Sequence, residues 1–154
     1  MFNWAGISRT CNIAKTNLFC LAQYIDTYAK DVFDKIVDVD YFINFDYDKK
    51  IISLTNLFAD INALHPFREG NGRTQREFIK WLARINGINL DFTLTENMEM
   101  IIASSESTNG DSEKLLAVFR RIAKPISKEE QLKSIDDIIS DKNLKEFLKA
   151  EIKK

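Results

Sequence analysis

Between residues 51 and 86 two apolar stripes of helical period are separated by a segment that cannot itself be helical. Ile51, Leu54, Leu57, Phe58, Ile61 and Leu64 recur at spacings of three and four, the pattern of a helix that buries one face. Pro66 biases His65 away from helical geometry, so that helix must stop near Leu64. Gly70-Asn71-Gly72 then turns the chain, and from Arg73 the stripe resumes through Phe78, Trp81, Leu82 and Ile85 to an Asn86-Gly87 stop. The chain is therefore held to a helix, a short loop and a second helix, with His65 at the mouth of the first rather than inside it.

The remaining pattern surrounds this unit with further helices. Leu18, Leu21, Ala22, Ile25, Ala29, Val32 and Phe33 predict a helix from Leu18 to about Ile36. Residues 93–106, 111–124, 128–139 and 141–152 read as four more, the last two rich in charge. Residues 1–17 show no helical period and suggest a loop with a short hairpin around Asn12 to Thr16. The stretch from Val37 to Lys50 sets Asp38, Asp40, Asp46 and Asp48 among Tyr41, Phe42, Phe45 and Tyr47. It lacks the glycine and glutamate spacing of an EF-hand and reads as a solvated connection with aromatic anchors. Trp4 and Trp81 read as core or boundary aromatics. With five glycines, two prolines and 154 residues, 45% of them hydrophobic, the expectation is one all-α domain with a small irregular or β element.

Charge and cysteines exclude several classes. Twenty-two basic residues against 23 acidic ones leave a net charge of -1, so no global field recruits nucleic acid or an acidic membrane, and any anion site must be local. Cys11 and Cys20 form no Cys-x-x-Cys pair and lack companions for a zinc site; they read as buried thiols. No apolar run approaches a membrane span and no secretory signal opens the chain. A reducing bacterial cytoplasm is the default compartment, or a host cell if a dedicated secretion machine delivers the chain as an effector.

The loop itself carries the chemistry. His65 is the only histidine, and its side chain is the one whose ordinary pKa suits proton transfer near neutrality. A glycine-flanked turn opening a helix presents unpaired N–H groups and the positive end of a dipole, a phosphate cradle. Gly70 and Gly72 clear space for a phosphate, and Asn71 can donate an amide hydrogen and tolerate left-handed backbone. Arg73 and Arg76, three apart, bring two guanidinium forks toward one polyphosphate. Glu69 is the negative group in that field, the candidate magnesium ligand beside phosphate oxygens. No Gly-Lys pair exists, so neither a P-loop nor a kinase loop applies.

The run His65-Pro66-Phe67-Arg68-Glu69-Gly70-Asn71-Gly72-Arg73-Thr74-Gln75-Arg76 resembles the signature of the Fic domain family, H-x-F-x-(D/E)-G-N-G-R-x-x-R, at every specified position. The likeness extends to Trp4-Ala5-Gly6, Arg9-Thr10, Ile13-Ala14-Lys15 and Phe19, similar to the segment preceding and forming that family's target-binding flap, and to Ala103-Ser104 and Gly110-Asp111 further on. It implies a single Fic-like helical domain over 1–154 with a short β-hairpin flap. Its parts would be a flap region at 1–17, a helix-loop-helix core at 51–86 and charged C-terminal helices at 126–154.

The resemblance to the AMP-transferring branch implies a protein adenylyltransferase, moving AMP from ATP to a Ser, Thr or Tyr hydroxyl of a target protein. By family role His65 is the general base, Glu69 holds Mg2+, and Gly70, Asn71 and Gly72 form the anion hole. Arg73 neutralises the leaving pyrophosphate and Arg76 binds the γ-phosphate, while Ile13, Ala14 and Lys15 bind the target in the flap. An exposed flap edge would take an extended target segment as an added strand. Alternatives are a catalytically silent nucleotide-binding module or toxin component, and a Fic enzyme that transfers another phosphate-containing group.

Two departures shape the expectation of control. Family members carry a helix upstream of the Trp-Ala-Gly segment, which is missing here, so the chain is expected to be a fragment or to have that face covered otherwise. The family's inhibitory S/T-x-x-x-E-(G/N) pattern is matched by Thr95 to Glu99 but followed by Met100, a coincidence inside a core helix. Control of Arg76 is then expected from a separate antitoxin-like protein or from an inhibitory segment lost with the missing N-terminus.

Overall fold

A computed structural model describes residues 6–14 and 18–154. Among them are seven α-helices and one small sheet: α1 (Ile25–Asp38), α2 (Tyr47–Leu64), α3 (Asn71–Ile85), β1 (Ile88–Leu90), α4 (Asn97–Thr108), α5 (Glu113–Ile122), β2 (Ala123–Pro125), α6 (Lys128–Ile138) and α7 (Lys142–Lys153). The expected all-α class with a minor β element holds. The two strands are not the flap, however: β1 pairs antiparallel with β2, Asn89 opposite Lys124. In the flap region a lone antiparallel bridge joins Ala14 to Leu18.

α2 is the central element. Its Leu54, Leu57, Phe58 and Ile61 pack with Ile79, Leu82 and Ala83 of α3 and with Leu115, Phe119 and Ile122 of α5. Phe119 meets Phe58 and Phe92 edge-on and those two rings stack, with centroids 5.5–6.3 Å apart, contacts worth about 1 kcal/mol each beyond their buried area. A second cluster of Ile43, Ile85, Ile135 and Leu148 seats α6 and α7 against the end of α3. The charge-rich helices are thus packed through narrow apolar stripes. Ser127 and Glu130 start α6 with a reciprocal capping box.

Four expectations need correction, the first in the cysteines: Cys11 is exposed and Cys20 half-buried, not the buried thiols expected. The first helix begins at Ile25 rather than Leu18, because Leu18 bridges Ala14 and the Cys20 N–H is taken by the Ala63 carbonyl at 2.8 Å; tertiary bonds override the helical period there. The connection from Val37 keeps its four aspartates exposed and its aromatic anchors, but it is shorter than expected. Asp46 caps α2 through the Lys49 N–H, which starts that helix at Tyr47, and Phe42 and Ile43 are buried. Asp40, Tyr41 and Phe42 have φ of 53°, 56° and 68°, a left-handed turn costing about 1–2 kcal/mol per residue. The buried Phe42 ring and a 2.9 Å hydrogen bond from Asn86 Nδ2 to the Tyr41 carbonyl hold it in place. Trp81, finally, is 52% exposed on α3 rather than in the core. No helix among the described residues is long and apolar enough to cross a membrane.

Candidate functional site

The site forms where α2 ends and α3 begins. His65 closes α2 with a left-handed backbone, φ 43° and ψ 59°, and its N–H still donates to the Ile61 carbonyl at 3.1 Å. Pro66 thus drives His65 out of right-handed helix geometry into a conformation that non-glycine residues rarely adopt, at about 1–3 kcal/mol. Its imidazole is 8% exposed and lies face-on against Phe19, centroids 3.8 Å apart and planes 10° apart.

The carbonyls at the end of α2 are taken by partners from two directions. Buried Gln75 of α3 donates from Nε2 to the Ile61 carbonyl at 3.2 Å. From the N-terminal segment, the Arg9 N–H donates to the Pro66 carbonyl at 2.8 Å and Arg9 Nε to the His65 carbonyl at 2.9 Å. The Arg9 guanidinium also donates to the Cys11 carbonyl at 2.8 Å and to the Cys20 carbonyl.

The glycine turn is built by its neighbours. Gly70, at φ 85°, occupies the left-handed position before α3, and its carbonyl accepts from the N–H groups of Arg73 and Thr74, both at 3.0 Å. The amides of Asn71 and Gly72 remain as the open donors of the helix end. The Asn71 side chain behaves differently from expectation. It is buried, accepts from the Phe67 N–H at 2.9 Å and donates to the Phe67 carbonyl at 2.7 Å, so the side chain shapes the loop.

Arg73 and Arg76 cover two cradle glycines. A Cβ at Gly70 would lie 3.7 Å from Arg73 Nη2, and one at Gly72 would lie 3.5 Å from Arg76 Nη1. Among the described residues neither arginine has a carboxylate partner; Glu77 pairs with Lys80 at 2.9 Å instead. Glu69 is exposed on the loop, and no group of three or more His, Cys, Asp or Glu among the described residues forms a ready-made metal cage.

A cavity of about 390 Å³ brings His65, Gly72 and Arg76 together with Gln75 and Phe19, facing Asn97, Met100, Ile101, Ser104 and Thr108 of α4. Glu69 and Arg73 stand outside its lining. Asn62 spans its floor, donating from Nδ2 to the Ser104 carbonyl at 3.3 Å and to Thr108 Oγ1 at 3.2 Å. Of the flap residues, Ile13 is half-buried and Ala14 exposed at the bridge to Leu18, while Lys15 lies outside the described residues, as do Trp4 and Ala5. Glu99 is held by Arg121 at 2.6 Å, which supports reading Thr95 to Glu99 as a chance match.

Phe19, Gln75 and Asn62 were not among the expected site residues. Gln75 was accessible from periodicity, since it shares a helix face with Asn71 and Ile79 and that face is buried. Phe19 and Asn62 carry no local signal, because their partners lie 46 and 42 residues away.

Comparison with known proteins agrees with this geometry. The Fic/DOC family model matches residues 11–83. Over 122 residues the chain is 38% identical to the protein adenylyltransferase VbhT of Bartonella schoenbuchensis, covering 79% of this chain and 26% of that protein. It is 36% identical over 124 residues to the probable protein adenylyltransferase y4lH of Sinorhizobium fredii, covering 79% of this chain and 65% of that one. The chain therefore spans about a quarter of the first relative and just under two thirds of the second. In structure it resembles the ADP-bound N-terminal Fic domain of a Bartonella quintana cell filamentation protein, with a TM-score of 0.78, 24% identity and coverage of 85% of this chain and 69% of that one. A BepC effector from Bartonella tribocorum with bound AMPPNP gives a TM-score of 0.73 at 22% identity, over 77% of this chain and 59% of that one. The matched segment runs from the flap base through the glycine turn into α3, and this part of the chain is a Fic/DOC family match.

Proposed function

We propose that this chain is a protein adenylyltransferase that moves AMP from ATP to a side-chain hydroxyl of a target protein. The observation that carries the reading is the cavity on which the imidazole of His65, the open amide end of α3 and Arg76 converge. A polyphosphate seated on the Asn71 and Gly72 amides meets the dipole of α3 and the guanidinium groups over Gly70 and Gly72. His65, held at the rim by Phe19, takes the proton of the attacking Ser, Thr or Tyr hydroxyl. The hydroxyl oxygen bonds to the α-phosphorus, the bond to the β-phosphate oxygen breaks, and pyrophosphate leaves toward Arg73 and Arg76. Such a transfer is carried by positioning and charge neutralisation.

Glu69 offers one exposed carboxylate next to the cradle, which suits a magnesium ion shared with phosphate oxygens rather than caged by the protein. Mg2+ there would neutralise charge on the α- and β-phosphates. The Ala14 to Leu18 bridge supports a flap edge on which an extended target segment adds as a strand. Because Glu99 is engaged with Arg121, we assign control of Arg76 to another inhibitory group, on a separate antitoxin-like protein or on an inhibitory segment outside this sequence. The bacterial cytoplasm, or a host cell after secretion, is the proposed location; the effector-named neighbours support the second.

The test incubates the chain and magnesium with cell lysate and ATP labelled at the α- or the γ-phosphate, beside His65→Ala. Protein label from the α position only, lost in the variant, is expected. Label from γ makes the chain a kinase-like Fic enzyme, and none from either makes it a silent nucleotide-binding module.

A further inference from the structure

We infer that Arg9 is a positioning residue, whose guanidinium locks the root of the flap onto the backbone of His65 and so sets the base against the target hydroxyl. The inference rests on the adenylyl-transfer reading for its kinetic consequence, though not for its structural one.

The geometry is specific. Arg9 is 3% exposed, and its guanidinium donates to three carbonyls from three places in the chain: Cys11 before the hairpin, Cys20 after it, and His65 at the end of α2. Its own N–H adds a fourth bond, to Pro66. A buried cation ordinarily needs a carboxylate. Among the described residues Arg9 forms no ion pair, and its charge lies against the carbonyl end of the 18-residue α2, the negative pole of that helix. Lysine cannot reproduce this arrangement, because three carbonyls in different directions require the planar fork.

Three consequences converge on His65. The bond to its carbonyl helps fix a left-handed backbone that is strained by itself. The bonds to Cys11 and Cys20 fix where the two sides of the hairpin leave the body of the protein. Phe19, one residue before Cys20, stacks on the imidazole, so the strand anchored by Arg9 also sets the plane of the ring. The α3 cradle makes none of these bonds, so releasing Arg9 misaligns base and hydroxyl while leaving the nucleotide seat intact.

The experiment compares Arg9→Gln and Arg9→Lys with the wild-type chain. His65 is the only histidine, so its imidazole Cε1–H gives a single assignable NMR signal, moved upfield by the Phe19 ring current. In both variants that signal is expected to move toward the position of an unstacked histidine. The Kd for magnesium–AMPPNP should stay within about threefold of wild type, while AMP transfer to protein should lose roughly 30-fold or more in kcat.

An unmoved His65 signal in both variants overturns the inference. So does nucleotide affinity falling in step with kcat, or failure of both variants to fold, since Arg9 is then only a structural residue. A wild-type chain that transfers no AMP, yet shows the expected His65 shifts on substitution, sinks the adenylyl-transfer reading and leaves the Arg9 lock standing.

Discussion

The ring of Phe19 lies flat on the imidazole of His65, 3.8 Å between centroids, although 46 residues separate them in sequence. Stacking a buried aromatic on the imidazole restricts rotation of the ring and sets its plane. Phe19→Leu keeps apolar bulk but loses the flat face. Transfer is expected to fall roughly 10-fold in kcat with nucleotide affinity unchanged, at a stability cost of about 1 kcal/mol. Steady-state kinetics with varied ATP, together with a urea melt, check this; a raised KM for ATP would place Phe19 in the nucleotide site instead.

Gly70 and Gly72 predict opposite outcomes for the same substitution. Gly70 stands at φ 85°, so Gly70→Ala strains the backbone and costs about 1–2 kcal/mol even though its Cβ meets Arg73 Nη2 at an ordinary 3.7 Å. Gly72 lies inside α3 with right-handed backbone, and its Cβ would clear Arg76 Nη1 at 3.5 Å. Gly72→Ala is expected to raise stability by about 0.5 kcal/mol. The added methyl nevertheless enters the phosphate seat and weakens ATP binding by roughly 10-fold or more. Thermal melts paired with calorimetric ATP titration test the contrast; a Gly72→Ala chain that binds ATP normally removes the amides of Asn71 and Gly72 from the cradle.

Asn71 acts on the loop rather than on the ligand. Removing its amide strands both the N–H and the carbonyl of Phe67, so Asn71→Ala should cost about 1–3 kcal/mol. Asn71→Asp is expected to be at least as damaging, because it turns a carboxylate oxygen toward the Phe67 carbonyl and puts a negative charge at an anion site. An Asn71→Ala chain that keeps its Tm but loses ATP would show that the side chain faces the nucleotide after all.

Much of this was legible in the sequence, for identifiable reasons. The stop at Leu64, a restart behind the glycine turn and the end near Ile85 followed from Pro66, Gly70-Asn71-Gly72 and Asn86-Gly87, all local signals, although α3 starts at Asn71 rather than at the expected Arg73. α6 and α7 lie within one residue at each end of the expected 128–139 and 141–152, and the structure starts them with the caps Ser127 and Asp141. The expected helix over Leu18 to Leu21 had a correct apolar period but lost to long-range bonds at Cys20 and Arg9, while Ala22–Tyr24 form a 3-10 turn that leads into α1. The pairing of β1 with β2 went unread because each strand has only three residues and its partner lies 33 or more positions away. The cluster of His65, Gly72 and Arg76 was readable as a motif; its connection to the N-terminal segment through Arg9 and Phe19 was not.

Asp60 on α2 is half-buried, and that burial raises its carboxyl above the ordinary 3.8, with Lys35 opposing the effect. Between the ordinary and the raised value the folded chain holds more protons than the unfolded one. Stability therefore falls as pH rises through that window, and the penalty is fully present at neutral pH. Asp60→Asn should raise the Tm at pH 7, with the gain shrinking toward zero as pH falls below 3.8. Parallel melts of the two proteins across this range decide it; a variant less stable than wild type at pH 7 would mean that attraction to Lys35 outweighs desolvation.

Glu69 is the remaining carboxylate with a proposed task, and its exposure makes that task separable from folding. It lies outside the cavity lining and just before Gly70, so Glu69→Gln should leave the unfolding free energy within about 0.5 kcal/mol of wild type. A carboxylate that shares magnesium with phosphate oxygens contributes only when both are present. The variant is therefore expected to bind metal-free ATP like wild type, to gain less affinity on adding magnesium, and to need a roughly 10-fold higher magnesium concentration for half-maximal transfer. Titrating magnesium at fixed ATP, in the binding assay and in the transfer assay, separates the possibilities. If the magnesium response is unchanged while kcat drops, Glu69 acts on the target or on His65 rather than on the metal, and the charge on the α- and β-phosphates must be balanced by Arg73 and Arg76 alone.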